Sequence, residues 1–169
     1  MINVCEQDFR QLVQAALYCG TRYGSLIKMC CQDYNPDSGT VHIKKSKSGK
    51  SLHVPLTDEG QRFFESVPAG RSGSEVMFLR NDGKPWESSQ QHRRIREASD
   101  RARISTAISF HHLRHTYGSI LAMKGVPLQV IATAMGHADT RMTHRHYAHL
   151  SPDHVAKEIR KNLPKIKNT

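Results

Sequence analysis

Residues 110–150 read FHHLRHTYGSILAMKGVPLQVIATAMGHADTRMTHRHYAHL, and this stretch decides the fold class. Leu113, Tyr117, Ile120 and Leu121 recur at helical spacing. They predict a helix from about Phe110 to Lys124, anchored in a core by that apolar stripe and stopped by Gly125. Pro127 suits the first turn of a second helix, Leu128 to Met135, which Gly136 stops. A third helix is expected over Asp139 to His149. Ser151-Pro152 then opens a last one to about Asn162, with Pro164 beyond it.

Working back toward the amino terminus, Phe9, Leu12, Val13, Ala16 and Leu17 mark a helix from about Asp8 to Cys19. Gly20 breaks it, and Arg22 to Met29 resumes the pattern. Asn35-Pro36-Asp37-Ser38-Gly39 is a turn cluster. Val41-His42-Ile43 and Leu52-His53-Val54 alternate like two strands, joined by the basic tip Lys44-Lys45-Ser46-Lys47-Ser48-Gly49-Lys50. Thr57 caps a helix carrying Phe63, Phe64 and Val67. Residues 68–75 form a loop, Val76 to Leu79 a short extended piece, and Asn81-Asp82-Gly83 a turn. Ser88 or Ser89 opens a basic helix to about Arg101 containing Arg93, Arg94 and Arg96. The expected class is α+β: mostly α-helical with one small antiparallel β-sheet.

The chain has 169 residues, enough for one domain and one core. Lys and Arg total 25 against 15 acids, a net charge of +10, and a surface this basic points to nucleic acid as partner. Cys5, Cys19, Cys30 and Cys31 fit neither a disulfide framework nor a zinc spacing, so reduced thiols in the cytoplasm are expected. No charged-then-apolar leader opens the chain and no apolar run approaches membrane length, so neither export nor a membrane partner is expected.

Five segments carry hard polar chemistry: Gly20-Thr21-Arg22, Ser46 to Lys50, His111 to Thr116, Met135-Gly136-His137 and His146 to His149. His111 and Arg114 are three apart and share a helical face. An arginine fork can hold two phosphate oxygens, and a nearby histidine can move a proton near neutral pH. Taken alone, the segment reads first as an arginine paired to a carboxylate beside a solvated histidine.

In order, the five segments resemble the catalytic domain of the tyrosine recombinases, phage-integrase branch. These carry an arginine after a glycine turn, a hairpin lysine, His-x-x-Arg, Gly-His, and a tyrosine about ten residues beyond. The matching positions are Arg22, Lys47, His111 with Arg114, His137 and Tyr147, and the resemblance runs from about Asp8 to Leu150. It implies the tyrosine-recombinase fold over 1–169, with the amino-terminal DNA-binding domain outside this chain and the helical opening before Asp8 clipped. It also implies site-specific recombination or integration of double-stranded DNA by cleavage and rejoining.

The resemblance assigns the roles as well. Arg22 and Arg114 neutralise the phosphate and His137 adds a hydrogen bond. Tyr147 attacks phosphorus, leaving a 3′-phosphotyrosyl bond and a free 5′-hydroxyl. Lys47 protonates the leaving oxygen and His111 assists proton transfer at Tyr147. No cofactor or metal is called for. Copies of the chain would assemble on DNA as a tetramer and be monomeric alone, with Val155 and Ile159 of the last helix as a small apolar face for exchange between neighbours.

Several rival readings stand beside this one. Tyr147 is either a packed core tyrosine or, given its polar neighbours His144, Arg145, His146 and His149, a residue on an exposed face. Lys44, Lys45 and Lys50 compete with Lys47 for the acid's role. His137 also reads as a helix-terminus histidine. His144, His146 and His149 with His137 nearby admit a weak metal reading without a familiar spacing. Many family members carry an acid three residues after the first arginine, where this chain has Ser25. That departure favours a second function, a DNA-binding remnant that does not cut; type IB topoisomerase-like activity is a third. Arg93, Arg94 and Arg96 are candidates for reading the DNA groove.

Overall fold

The computed structural model describes residues 1–44, 51–106, 108–137, 139–150 and 161. The chain divides into two compact units, Met1–Tyr117 and Gly118–Thr169, and the division falls within one helix.

The first unit is built on α1 (Gln7–Cys19), whose Phe9, Leu12, Val13, Ala15 and Ala16 are buried. Around it lie a single turn α2 (Tyr23–Leu26), a three-stranded sheet of β1 (Tyr34–Asn35), β2 (Thr40–Ile43) and β3 (Leu52–Pro55), α3 (Asp58–Ser66), α4 (Gln90–Arg101) and the start of α5 (Phe110–Met123). The sheet is antiparallel in the order β1-β2-β3, with Val41 opposite Val54 and His42 opposite His53. Alternation puts Val41, Ile43 and Val54 on the core face. The core is one cluster that adds Leu26, Phe64, Met77, Phe78, Trp86, Ile95, Phe110 and Leu113. Phe110 meets Phe9 at 6.1 Å and Tyr23 at 5.0 Å between ring centres, both edge to face, so three elements lock on one ring.

Among the described residues the expected elements are present, with instructive differences. The helix expected over Arg22–Met29 is a single turn. Beyond it Met29 accepts a backbone bond from Met77 at 2.7 Å and Cys31 donates one to Glu75 at 2.9 Å, so cross-chain pairing with the Val76 segment replaces helix. Thr57 caps α3 by accepting from the Gly60 amide at 3.2 Å. Neither Ser88 nor Ser89 caps α4; Gln90 Oε1 accepts the Glu87 amide at 3.0 Å instead. The last helix, Ser151–Asn162 with Val155 and Ile159, and the tip lysines Lys45, Lys47 and Lys50 lie outside the described residues.

The second unit holds the rest of α5, then α6 (Leu128–Met135) and α7 (Thr140–Tyr147), which runs into a 3-10 turn over Ala148–Leu150. The helix expected to reach His149 thus tightens after Tyr147. Along α5 the inward stripe changes character. Leu113 is buried as expected, but Ile120 is 47% exposed, and the buried positions in this half are Gly118 and Ala122. Small residues there leave room for a large ring described below. Among the described residues no helix is long and apolar enough to cross a membrane.

Gly20 ends α1 in the left-handed conformation at φ 62°, and a Cβ added there would lie 2.7 Å from Tyr117 Cε1, inside contact distance. Both the backbone region and the missing side chain are required. Gly20→Ala should therefore destabilise the protein by about 2 kcal/mol or more, the sum of a left-handed alanine and an overpacked ring. Denaturant unfolding would read this as a lower midpoint with an unchanged slope.

Candidate active site

In the first unit, Arg22, His111 and Arg114 come together where α1, α2 and α5 meet. Gly20 turns the chain out of α1, Thr21 is buried, and Arg22 is the exposed residue that starts α2. Arg114 is 3% exposed, and its guanidinium donates to the Gly20 carbonyl at 2.7 Å. A buried cation thus grips the carbonyl end of α1, where the helix dipole is negative. The same bond fixes the turn from which Arg22 projects two residues later. Among the described residues, the Arg22 guanidinium has no hydrogen bond or ion pair. Ser25 lies in the position of the absent acid, and its backbone amide, not its side chain, meets Arg22, at the carbonyl oxygen.

His111 keeps an exposed edge on the first turn of α5. Partial desolvation pushes its pKa below the ordinary value of 6.5, and the charges of His115, Arg114, Arg22 and His112 push the same way. The two arginines therefore lie close enough to His111 to disfavour its proton, which leaves a neutral imidazole beside two permanent cations. His112 faces elsewhere. Its Nδ1 accepts the Ser109 backbone amide at 2.9 Å and sits 3.0 Å from the Ser109 hydroxyl, closing the amino end of α5.

Behind this group, Cys19 is fully buried, and desolvation lifts its thiol to about 12. It is a packing residue that donates to the Ala15 carbonyl at 3.0 Å. Tyr23 donates to the Glu87 carbonyl at 2.9 Å, tying α2 to the segment before α4.

At the base of the β2–β3 hairpin, Lys44 is not a free acid. Its Nζ lies 3.0 Å from Asp33 Oδ2, a carboxylate that is 4% exposed. The hydrogen bond to Asp33 raises its pKa. That removes one rival of Lys47, because an ammonium anchored to a carboxylate gives up its proton less readily. Of the groove candidates on α4, Arg94 is also committed: it pairs with Glu6 and its guanidinium lies 5.9 Å from the Trp86 ring centre. Arg96 is exposed, and Arg93 is exposed and 3.5 Å from Glu97.

In the second unit, α6 and α7 hold His137 and Tyr147. Gly136 ends α6 in the left-handed region, and the His137 amide reaches back to the Ala132 carbonyl at 2.9 Å, a Schellman closure. Asp139 caps α7 by accepting the Arg141 amide at 2.8 Å. His137 Nδ1 then lies 2.7 Å from the hydroxyl of Thr143, which is wholly buried. Thr143 and Tyr147 are four apart on the inner face of α7.

Of the two readings of Tyr147, the packed one holds and the exposed one, suggested by its polar neighbours, does not: the residue is 2% exposed. A Cβ added at Gly118 would stand 2.6 Å from Tyr147 Cζ and 2.8 Å from its hydroxyl oxygen, so the phenol fills the gap that a glycine leaves. Exposed His144, Arg145 and His146 occupy the other faces of α7; polar neighbours in sequence say little about a helix whose faces differ. Among the described residues no group of three or more His, Cys, Asp or Glu side chains could hold a metal ion.

Sequence reasoning missed Gly118 and Thr143 as parts of this arrangement. The Thr143–Tyr147 spacing was a usable signal; Gly118 carried none.

Two outcomes test this geometry. Nitration of Tyr147, located by mass spectrometry, should be slow in the native chain and faster in Gly118→Ala, where the ring and a methyl group compete for one space. Stability should fall on acidification. The unfolded chain protonates His111 near pH 6.5 and the folded chain only below it, so the loss begins near 6.5 and grows as the pH falls through the folded value. Melting curves from pH 8 to 5 should show a smaller decline in His111→Gln than in the native chain.

A family-wide comparison matches residues 1–154 to the phage integrase family. The chain is 28% identical over 170 residues to the integrase of Salmonella phage P22, covering 95% of this chain and 44% of that protein. It thus spans about half the length of the curated relatives it matches. Among solved structures it is similar to the catalytic domain of bacteriophage HP1 integrase, with TM-score 0.71 and 25% identity over 95% of this chain and 88% of that one. The Tn1549 transposon integrase, solved in complex with circular intermediate DNA, shares the fold at TM-score 0.75 and 19% identity, covering 93% of this chain and 60% of that one. By its α-rich architecture with a small antiparallel sheet and by the match over residues 1–154, the chain belongs to the phage integrase family.

Proposed function

We propose that this chain is the catalytic domain of a site-specific tyrosine recombinase, cutting and rejoining double-stranded DNA through a covalent bond to Tyr147. The observation that carries this reading is the meeting of Arg22, His111 and Arg114 in the first unit. Two permanent cations, one held rigidly by a carbonyl, beside a neutral imidazole make a receptor for a phosphodiester with a proton acceptor at hand.

In the proposed reaction the Tyr147 oxygen attacks phosphorus while His111 accepts the phenol proton. The bond from phosphorus to the 5′-oxygen breaks as Lys47 protonates that oxygen. The arginines and His137 balance the charge on the non-bridging oxygens. Rejoining runs the same steps backward, with the 5′-hydroxyl as nucleophile, so the phosphoester energy is kept and no nucleotide is consumed. Thr143 would hold His137 in place through the 2.7 Å contact. The net charge of +10 supports DNA as partner, and the Tn1549 relative was solved with DNA. Assembly of four copies on the DNA, a monomer off it, and action in the cytoplasm of a bacterial or phage-infected cell complete the proposal.

A second reading, a domain that grips DNA without cutting it, is favoured by one observation: with Ser25 in place of an acid, no side chain among the described residues orients Arg22.

Plasmid relaxation at low salt in EDTA separates these readings. The native chain should relax supercoiled DNA and leave protein on a 3′ end in a denaturing gel, and Tyr147→Phe should abolish both. Lys47→Ala should slow cleavage about 100-fold, and a 5′-sulfur leaving group, which needs no proton, should restore the rate. Binding with neither relaxation nor adduct would support the second reading, and recovery in Ser25→Glu would trace the defect to Arg22.

A further inference from the structure

We infer that His115 is a positioning residue for His111: it packs the imidazole edge to face beside Arg22 and Arg114, and a proton on one ring disfavours a proton on the other. The inference rests on the recombinase reading for its consequence but not for its geometry.

His111 and His115 are four apart on α5 and so lie on one face, a turn from each other. Their ring centres are 4.7 Å apart and the planes meet at 89°. At that distance the imidazole of His111 is buttressed from the carboxyl-terminal side. It cannot swing back along the helix without colliding with His115. The third histidine of the segment does not play this part. Its ring centre is 6.4 Å from His115, and its Nδ1 is occupied by the Ser109 amide.

Among the described residues, the charged and titratable groups whose charge reaches His111 are His115, Arg114 and His112 on α5 and Arg22 at the start of α2. The two arginines are cations at every working pH. Among these groups, therefore, only the histidines respond to pH, and His115 makes the closest ring contact with His111. A proton on either ring of the pair raises the cost of a proton on the other, as for any two like charges at this separation. Position and protonation are thereby linked. The ring that buttresses His111 also keeps it in the form that can accept a proton from a phenol.

For strand cleavage this predicts an acid limb governed by the pair. The rate should rise with pH as His111 loses its proton, and His115 should set where that rise falls. In His115→Phe, a ring of similar shape remains and the competing proton is gone. His111 then protonates more easily, and the limb should move to higher pH. His115→Ala removes both buttress and charge, so its limb should move the same way while its maximal rate also drops.

The test is a proton NMR titration of the histidine ring signals in the full chain, with His111 assigned by its absence in His111→Gln. In the native chain His111 and His115 should each show a two-step curve, each reporting the other's protonation. In His115→Phe the His111 curve should become a single step with its midpoint closer to about 6.5, the ordinary value. Independent single-step curves in the native chain, or an unchanged His111 midpoint in His115→Phe, would overturn the inference. The native titration decides the matter even where the variant fails to fold. Because it uses no DNA, a failed cleavage assay would count against the recombinase reading and leave the pairing standing.

Discussion

The bond from the Arg114 guanidinium to the Gly20 carbonyl is the constraint on which the first unit's site depends. A cation that is 3% exposed is costly to bury and is retained only where polar groups meet it. Here one partner is the last carbonyl of α1, an acceptor that the helix leaves unpaired and that the helix dipole makes more negative. That carbonyl faces the guanidinium because Gly20 is left-handed, and Gly20 can approach α5 because it has no Cβ to strike Tyr117. One glycine thus sets the direction of Arg22, the depth of Arg114 and the contact between α1 and α5.

The second unit solves a different problem. There a tyrosine ring is buried against a helix instead of facing solvent. Gly118 supplies the space, Met135 flanks it, and Thr143 one turn earlier on α7 ties His137 to the same helix face. In the proposed reaction, the packing of the Tyr147 hydroxyl against Gly118 would have to open for the oxygen to reach a phosphate. Local opening of a short helix exposes less than unfolding of the whole domain and costs correspondingly less. The eight residues of α7, capped at one end by Asp139 and tightened into a 3-10 turn at the other, suit that role.

Charge is sorted in the same way. An excess of ten positive charges suits the DNA partner proposed above but does not say where it would lie. Buried and half-buried acids do the sorting. Asp33 takes Lys44 and Glu6 takes Arg94, and these cations become parts of the scaffold. Arg22 and Arg96 remain exposed to solvent. In the proposed function, exposed cations such as these two are the candidates for contact with DNA.

The amino-acid sequence by itself determined the class of fold and the order of the elements, while its family resemblance named the candidate catalytic groups. Helical spacing, the glycines at 20, 125 and 136 and the alternation around the basic hairpin are local properties, and local backbone energetics read them correctly. Tertiary structure alone decided which faces are inward. Tyr147 lies among polar neighbours and is nevertheless buried, because the void that receives it is made by Gly118, 29 positions earlier in the chain. Ile120 lies on the expected stripe and is nevertheless exposed, because small residues take the inner face there. The span over Arg22–Met29 lost most of its helix to backbone bonds with a segment more than forty residues away. Burial and pairing depend on what arrives from elsewhere in the chain, and no window of sequence contains it.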